Sequence, residues 1–304
     1  VVLDGGLATA LERRGHDLRD ALWSARLLVD DPAAIETIHM DYLRAGADCI
    51  TTSAYQATVS GLEQKGVTRD EALDALRLST DLARRAVRRV TKDDHSDGEP
   101  DPVPLVAASV GPYGAWLADG SEYDGRYGRT VDELMDFHRE RFRLLAESGA
   151  DLLACETIPS GLEADALLTL LDEVPGAWAL FSFTCADDRV QRDGTPIETV
   201  AKACSTHDRI AAIVVNCTEP RFIGGLVERI RTVSELPVLV YPNSGEIYDG
   251  RTKEWSDGAE GVTWLDSVRA AWDAGARILG GCCRTGPDEI RELRTRLVGG
   301  DFPA

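Results

Sequence analysis

Short apolar runs, many of them β-branched, alternate along this chain with stretches whose apolar residues recur at helical spacing. Val1 to Leu3 ends at Asp4 and meets Gly5 and Gly6, which predicts a strand and a turn before a helical pattern from Leu7. Asp30, Asp31 and Pro32 signal a helix start, and the period Ile35, Ile38, Tyr42, Leu43 carries that helix to Gly46. Further strands are predicted at Asp48 to Ser53, Pro104 to Ser109, Asp151 to Cys155, Trp178 to Thr184, Ile210 to Asn216, Pro237 to Tyr241 and Ala276 to Leu279. Helices are predicted at Arg69 to Thr91, Val131 to Ser148, Gly161 to Glu173, Pro196 to Thr206, Pro220 to Ser234, Thr263 to Asp273 and Pro287 to Leu297. Tyr55 to Thr68 and the stretch from Gly111 to Arg129 read as loops.

Counted from Val1, eight strands alternate with helices, the arithmetic of a single α/β (β/α)8 TIM-type barrel. A doubly wound sheet is the competing architecture, but neither G-x-G-x-x-G nor G-x-x-x-x-G-K-[ST] occurs. No internal repeat or second domain is visible. The expectation is one domain over 1–304, with residues 92–101 (KDDHSDGEPD) as an exposed acidic connector.

Composition narrows the partners. The 304 residues are 43% hydrophobic, enough for a large core, and carry a net charge of −19 with lysine only at 65, 92, 202 and 253. That balance argues against nucleic acid and anionic membrane surfaces. No run approaches the roughly 18 apolar residues of a membrane span, and the opening lacks a signal-peptide pattern, so a cytoplasmic location is expected. The start at Val1 suggests that a few residues precede it. Seven cysteines without a C-x-x-C spacing point to reduced thiols rather than a disulfide framework.

Barrels of this kind build their sites at the C-terminal ends of the strands. Those ends hold Asp4-Gly5-Gly6, Thr51-Thr52-Ser53, Ser109, Cys155-Glu156-Thr157, Asn216-Cys217-Thr218, Asn243-Ser244-Gly245-Glu246 and Gly280-Gly281-Cys282-Cys283. Adjacent residues on a regular strand face opposite ways. Gly280 and Gly281 are expected to supply the backbone freedom that lets both following sulfurs serve one site. Cys217, Cys282 and Cys283 thus reach one end of the barrel, and three soft thiolates with a fourth position open suit a catalytic zinc. A buried apolar role and a vicinal Cys282–Cys283 disulfide are the alternatives, and the apolar role suits Cys49, Cys185 and Cys204. The five histidines lie away from the strand ends, so no Ser-His-Asp or Cys-His arrangement can be drawn.

With these residues assembled, the chain resembles the homocysteine S-methyltransferase family over nearly its whole length. The resemblance is carried by LDGGLAT (3–9), HMDYLRAGADCITTSAYQAT (39–58), SVGPYGAWLADGSEYDG (109–125), CETIPS (155–160), VNCTEP (215–220), YPNSGE (241–246) and GGCCRTGP (280–287). The 111–125 loop and Tyr55-Gln56 look most like the branch that uses S-methylmethionine, or less favourably S-adenosylmethionine. The betaine-using branch places a tyrosine at Gln56. A corrin-type domain has no room, and Asp136-Phe137-His138 lacks the glycine of its motif.

The resemblance implies one zinc per chain held by Cys217, Cys282 and Cys283, and transfer of a methyl group to L-homocysteine to give methionine. A free thiol is only a few per cent ionised at neutral pH, and a metal would ionise it. Asp4 and Glu156 are then candidates for the homocysteine ammonium. The amides near Gly5-Gly6 and Ser109-Val110 are candidates for its carboxylate, and Asn216 for positioning beside Cys217. A cationic donor could rest against aromatic faces, with Trp23, Trp116 and Tyr113 as candidates, under a lid formed by Gly111 to Gly128. The alternatives are a non-catalytic zinc- or redox-sensing thiol protein, a betaine-type donor, or a selenium-containing acceptor. The oligomeric state has no sequence signature here.

Overall fold

A computed structural model of the chain describes residues 1–18, 23–93, 102–245, 247–249, 254–256 and 262–302. Seven parallel strands form one curled sheet in the order β1 (Cys49–Thr51), β2 (Leu105–Val110), β3 (Leu152–Ile158), β4 (Ala179–Phe183), β5 (Ile210–Asn216), β6 (Val238–Tyr241) and β9 (Ile278–Leu279). Between β6 and β9 an antiparallel pair, β7 (Ile247–Asp249) and β8 (Glu254–Ser256), stands apart from that sheet. Val2 and Leu3 do not form a regular strand. They make isolated parallel bridges to Leu279 on one side and Cys49 on the other, with Leu3 N–H donating to Leu279 O at 2.8 Å and Asp4 N–H to Cys49 O at 3.1 Å.

Helices cover the outer face: α1 (Leu7–Arg13), α2 (Leu27–Asp30), α3 (Pro32–Arg44), α4 (Val59–Glu63), α5 (Arg69–Asp93), α6 (Tyr113–Leu117), α7 (Val131–Ala146), α8 (Gly161–Asp172), α9 (Ile197–Ser205), α10 (Ile223–Arg231), α11 (Trp264–Asp273) and α12 (Pro287–Gly299). Their starts follow local chemistry. Asp31 caps α3 by accepting from Ala34 N–H at 3.2 Å with Pro32 in the first turn, and Thr130 and Glu133 form a reciprocal capping box on α7. Both faces of the sheet are buried, as parallel sheets require. The outer face packs Ile50, Val106, Phe181, Ile213 and Val215 against the helices, while Leu3, Ala107, Ala154, Leu180, Ala212 and Leu239 fill the inside of the curl.

Several boundaries differ from the sequence expectation. The loops at 55–68 and 111–129 each contain a short helix, α4 and α6, with a single 3-10 turn at Ser121–Tyr123. The expected last strand shortens to Ile278–Leu279 because Ala276 N–H is used to close the end of α11, bonding Ala271 O at 2.9 Å. Most of the 92–101 connector lies outside the described residues. Among the described residues no helix is long and apolar enough to cross a membrane.

Candidate functional site

A cavity of about 160 Å³ opens at the C-terminal ends of the strands. The sulfurs of Cys217, from the end of β5, and of Cys282 and Cys283, just past β9, all lie within 4.8 Å of one another there. Cys217 Sγ and Cys282 Sγ are 2.7 Å apart. The thiols of Cys282 and Cys283 donate towards Cys217 and hold it well below the ordinary thiol range, against the effect of its burial. The same contacts push Cys282 and Cys283 up.

The backbone that aims these sulfurs is strained in one place and crowded in another. Cys217 sits at φ 45° and Arg284 at φ 67°, in the left-handed region that non-glycine residues rarely occupy. Neither Gly280 nor Gly281 is among the glycines with positive φ. What they supply is close approach: a Cβ on Gly281 would fall 2.1 Å from Thr285 Oγ1, and one on Gly280 would fall 2.8 Å from Leu3 Cβ. Gly5 and Gly6 serve the same end from the other side. A Cβ on Gly5 would meet Thr285 O at 2.8 Å, and one on Gly6 would meet Cys282 O at 2.6 Å. The turn itself is tied by Thr285 Oγ1 to Cys282 O at 2.7 Å and by Arg284 N–H to Thr9 Oγ1 at 2.8 Å.

A bulge in β3 delivers the carboxylate. The register against β4 shifts between Cys155 and Ile158, and Thr157 takes φ 57°, so Glu156 and Thr157 both reach the cavity although a regular strand would send one of them outward. Glu156 accepts from Ser109 Oγ and from Tyr241 OH at 3.0 Å. Burial pushes its carboxyl up to about 7 despite those two donors. Asp4 accepts from Thr51 N–H at 2.8 Å and from Thr51 Oγ1 at 3.1 Å, and burial again raises its pKa, with repulsion from Glu156 adding to it. Two buried carboxylates that repel each other would both be relieved by a cation placed between them. No Lys or Arg lines the cavity among the described residues.

Against known proteins, the family described as Homocysteine S-methyltransferase matches residues 1–297. The chain belongs to the homocysteine S-methyltransferase family. It is 45% identical over 96% of its length, and 93% of the other's, to the Bacillus subtilis protein named homocysteine S-methyltransferase YbgG. It is 48% identical over 98% of its length, and 88% of the other's, to the Brassica oleracea protein named selenocysteine Se-methyltransferase. Among solved structures it resembles the metallated form of the Escherichia coli homocysteine methyltransferase MmuM, with 40% identity, a TM-score of 0.86 and coverage of 97% of this chain and 96% of that one. These likenesses over nearly the full length make the chain a methyltransferase.

The cavity of this methyltransferase gathers some expected residues and leaves others out. Cys217, Cys282, Cys283, Asp4, Gly5, Gly6, Glu156 and Asn216 line it. Ser109 stands behind Glu156, and its N–H is already donated to Thr52 Oγ1 at 3.0 Å. Gly6 N–H likewise goes to Thr285 O at 2.9 Å, so neither amide is free for a substrate carboxylate. Asn216 spans Ser182 Oγ, 2.6 Å from its Oδ1, and Thr157 Oγ1, 2.8 Å from its Nδ2. It braces β5 against the β3 bulge, and Thr157 in turn hydrogen-bonds the Cys217 sulfur.

Tyr113 and Trp116 do not reach the cavity. They stack in a separate cluster with Phe137, at 4.9 and 5.5 Å between ring centroids, and the guanidinium of Arg129 lies 5.6 Å over the Tyr113 ring. The side chain of Trp23 lies outside the described residues. Sequence reasoning gave no site role to Thr157, Tyr241 or Glu122, all of which line the cavity. Tyr55 and Gln56, just beyond a strand end, carried the available signal, and they line it too.

Proposed function

We propose that this methyltransferase is zinc-dependent, with one ion per chain held by Cys217, Cys282 and Cys283, and that it moves a methyl group from S-methylmethionine, or S-adenosylmethionine, to the thiol of L-homocysteine, giving methionine. The observation that carries the reading is the convergence of three sulfurs inside an acidic cavity with no Lys or Arg in its lining among the described residues. The donor set fits the ion: three soft sulfurs suit zinc, and three protein ligands leave a fourth tetrahedral position for a substrate. Zinc bound there would ionise the acceptor thiol at neutral pH.

The remaining chemistry belongs to the chain. Asp4, raised by burial and by the charge of Glu156, and Glu156, raised by burial and by the charge of Cys217, receive the homocysteine ammonium, whose charge favours the ionised form of both carboxylates. The Gly5 to Ala8 turn, which lines the cavity and opens α1 with no side-chain cap, faces the amino-acid carboxylate. The acceptor sulfur then attacks the methyl carbon of the donor while the methyl–sulfonium bond breaks, and a neutral thioether leaves. Negative sulfur meeting positive sulfonium loses charge on the way to the transition state, so an enclosed, water-poor cavity favours the reaction. No general base is needed.

The fold reading goes with this function. Val1 to Asp4, bridged on both sides, serves as the eighth strand of a single (β/α)8 barrel, and the acidic 92–101 connector is a surface insertion in that one domain. All seven cysteines are free, which suits a reducing, cytoplasmic compartment.

Metal analysis of reduced protein, together with methionine formation from S-methylmethionine and homocysteine, tests the proposal. Near-stoichiometric zinc lost along with activity in Cys282→Ser supports it, whereas full activity in that variant ends it. Zinc bound without any methyl transfer would leave a storage or sensing protein. The likeness to a selenocysteine-named relative makes selenocysteine the acceptor to run in competition with homocysteine.

A further inference from the structure

Two side-chain oxygens in the cavity have no work in the scheme above. Glu122 Oε2 and Gln56 Oε1 are both buried, both without a hydrogen-bond partner, and both on residues that line the cavity. Asp4 and Glu156, by contrast, are supplied with donors by Thr51, Ser109 and Tyr241. The orientation of the Gln56 amide follows from its neighbour: its nitrogen donates to Ala115 O at 3.2 Å, which leaves the oxygen as the free atom.

The segment that carries Glu122 is anchored. A Cβ on Gly114 would fall 2.3 Å from Glu122 N, so the loop rests directly on α6. That helix is held from below, with Tyr113 N–H donating to Glu163 Oε1 at 2.6 Å and the same oxygen bonded to His138 Nε2 at 2.8 Å. Arg141 donates to Gly111 O at 2.6 Å and to His138 Nδ1 at 2.9 Å, completing a buried brace. Glu122 also lies close enough to Cys217 for their charges to interact.

Three of the loop aromatics are turned to other contacts. Tyr113 and Trp116 face their own cluster, and Arg192 lies 5.5 Å over the ring of Tyr123. A cation entering beside the sulfurs therefore meets these acceptor oxygens, with Tyr55 and Tyr241 as the other aromatic lining residues.

We infer that Glu122, with the side-chain oxygen of Gln56, forms the subsite that receives the positive sulfonium of the methyl donor. The inference rests on the functional reading above and extends it to the second substrate. Glu122 draws the donor's charge toward the acceptor sulfur, and once the methyl group has left, the neutral thioether has no charge to hold it there. A neutral product is thus released from the subsite that bound the cation.

The test compares the zinc-loaded wild type with Glu122→Gln and Glu122→Asp. Calorimetry without acceptor measures binding of S-methylmethionine and of its neutral isostere, in which carbon replaces the sulfonium sulfur. Loss of a charge-assisted contact in a buried subsite is expected to weaken S-methylmethionine by about tenfold to a hundredfold in Glu122→Gln. The isostere should bind both proteins alike, the homocysteine KM should stay within about twofold, and Glu122→Asp should recover part of the loss. Unchanged S-methylmethionine binding in Glu122→Gln overturns the inference while leaving the functional reading intact. An equal loss for the isostere overturns it too, since Glu122 would then be reading the ammonium or holding the loop. A wild type that neither binds nor turns over any sulfonium overturns both.

Discussion

Gly281→Ala puts the tightest point of the metal turn to the test. The new Cβ would stand 2.1 Å from Thr285 Oγ1 and 2.6 Å from Thr285 Cβ, against the 3.4 Å at which ordinary contact begins, a shortfall of about 1.3 Å at the closer atom. Thr285 is fully buried and its side chain is short, so it cannot swing away. Either the Cys282–Cys283 turn moves or Thr285 gives up its bond to Cys282 O. Overpacking of this kind costs about 1–3 kcal/mol and the lost hydrogen bond about 1 more, so roughly 2–4 kcal/mol of stability is at stake. Metal–ligand distances tolerate only about 0.2 Å, far less than the shift required, so zinc affinity should fall by at least about tenfold. Competition with a chromophoric chelator reads the affinity and thermal unfolding of the metal-free protein reads the stability. Gly299→Ala, with nothing within 4 Å of its Cβ, is the neutral control. Zinc affinity and unfolding temperature both equal to wild type would show that the glycine is not there for close approach.

Three further outcomes are expected. The folded pKa of Glu156, about 7, exceeds its unfolded value of 4.5, so the folded chain holds the extra proton and stability falls as pH rises between those values. Glu156→Gln should therefore unfold at higher temperature near pH 8, by up to about 3 kcal/mol, match wild type near pH 4, and bind homocysteine more weakly; a variant no more stable at the higher pH contradicts the assignment. His39 is buried with neither ring nitrogen bonded, and burial lowers its pKa from 6.5 to about 4, so its neutral form stabilises the fold fully above 6.5 and that contribution is lost as pH falls towards 4. Acid titration of His39→Leu should show a flatter decline over that window, and an unchanged acid limb would refute the cause. Cys49, Cys155, Cys185 and Cys204 are buried, with burial raising each thiol, to about 12 for the last two. A thiol reagent should reach at most the Cys217, Cys282 and Cys283 set before unfolding, and fast labelling of a fourth cysteine would contradict that burial.

The three-sulfur cluster was legible because its signals are short-range. Gly-Gly-Cys-Cys sits at a strand end that hydrophobic alternation locates, and Asn216-Cys217 sits at another. Glu156 was legible by the same rule, but the bulge that turns it inward was not, since Thr157 carries no sequence mark of its left-handed backbone. The role of Gly280 and Gly281 was legible only in part. Glycine signals that a Cβ is excluded, but sequence does not say whether the backbone angle or a neighbour excludes it. Glu122 looked like one more solvated acid in a polar loop, because its burial is created by α6, distant in neither sequence nor periodicity but unsignalled by either. The aromatic loop showed the opposite error: composition supplied Tyr113 and Trp116 near the site, and packing against Phe137 turned them away from it.

The two bridges made by Val2 and Leu3 also govern the order in which the molecule can be completed. Leu3 is synthesised long before Leu279 and must wait for it before both its edges are paired. A nascent chain thus carries the apolar Val2–Leu3 segment with one edge unpaired until Leu279 has been made, the situation in which chaperone capture and aggregation compete with folding. Cys217 in turn waits through a separation of 65 residues for Cys282, so on the zinc reading proposed above the ion can be loaded only after Cys282 and Cys283 have been made.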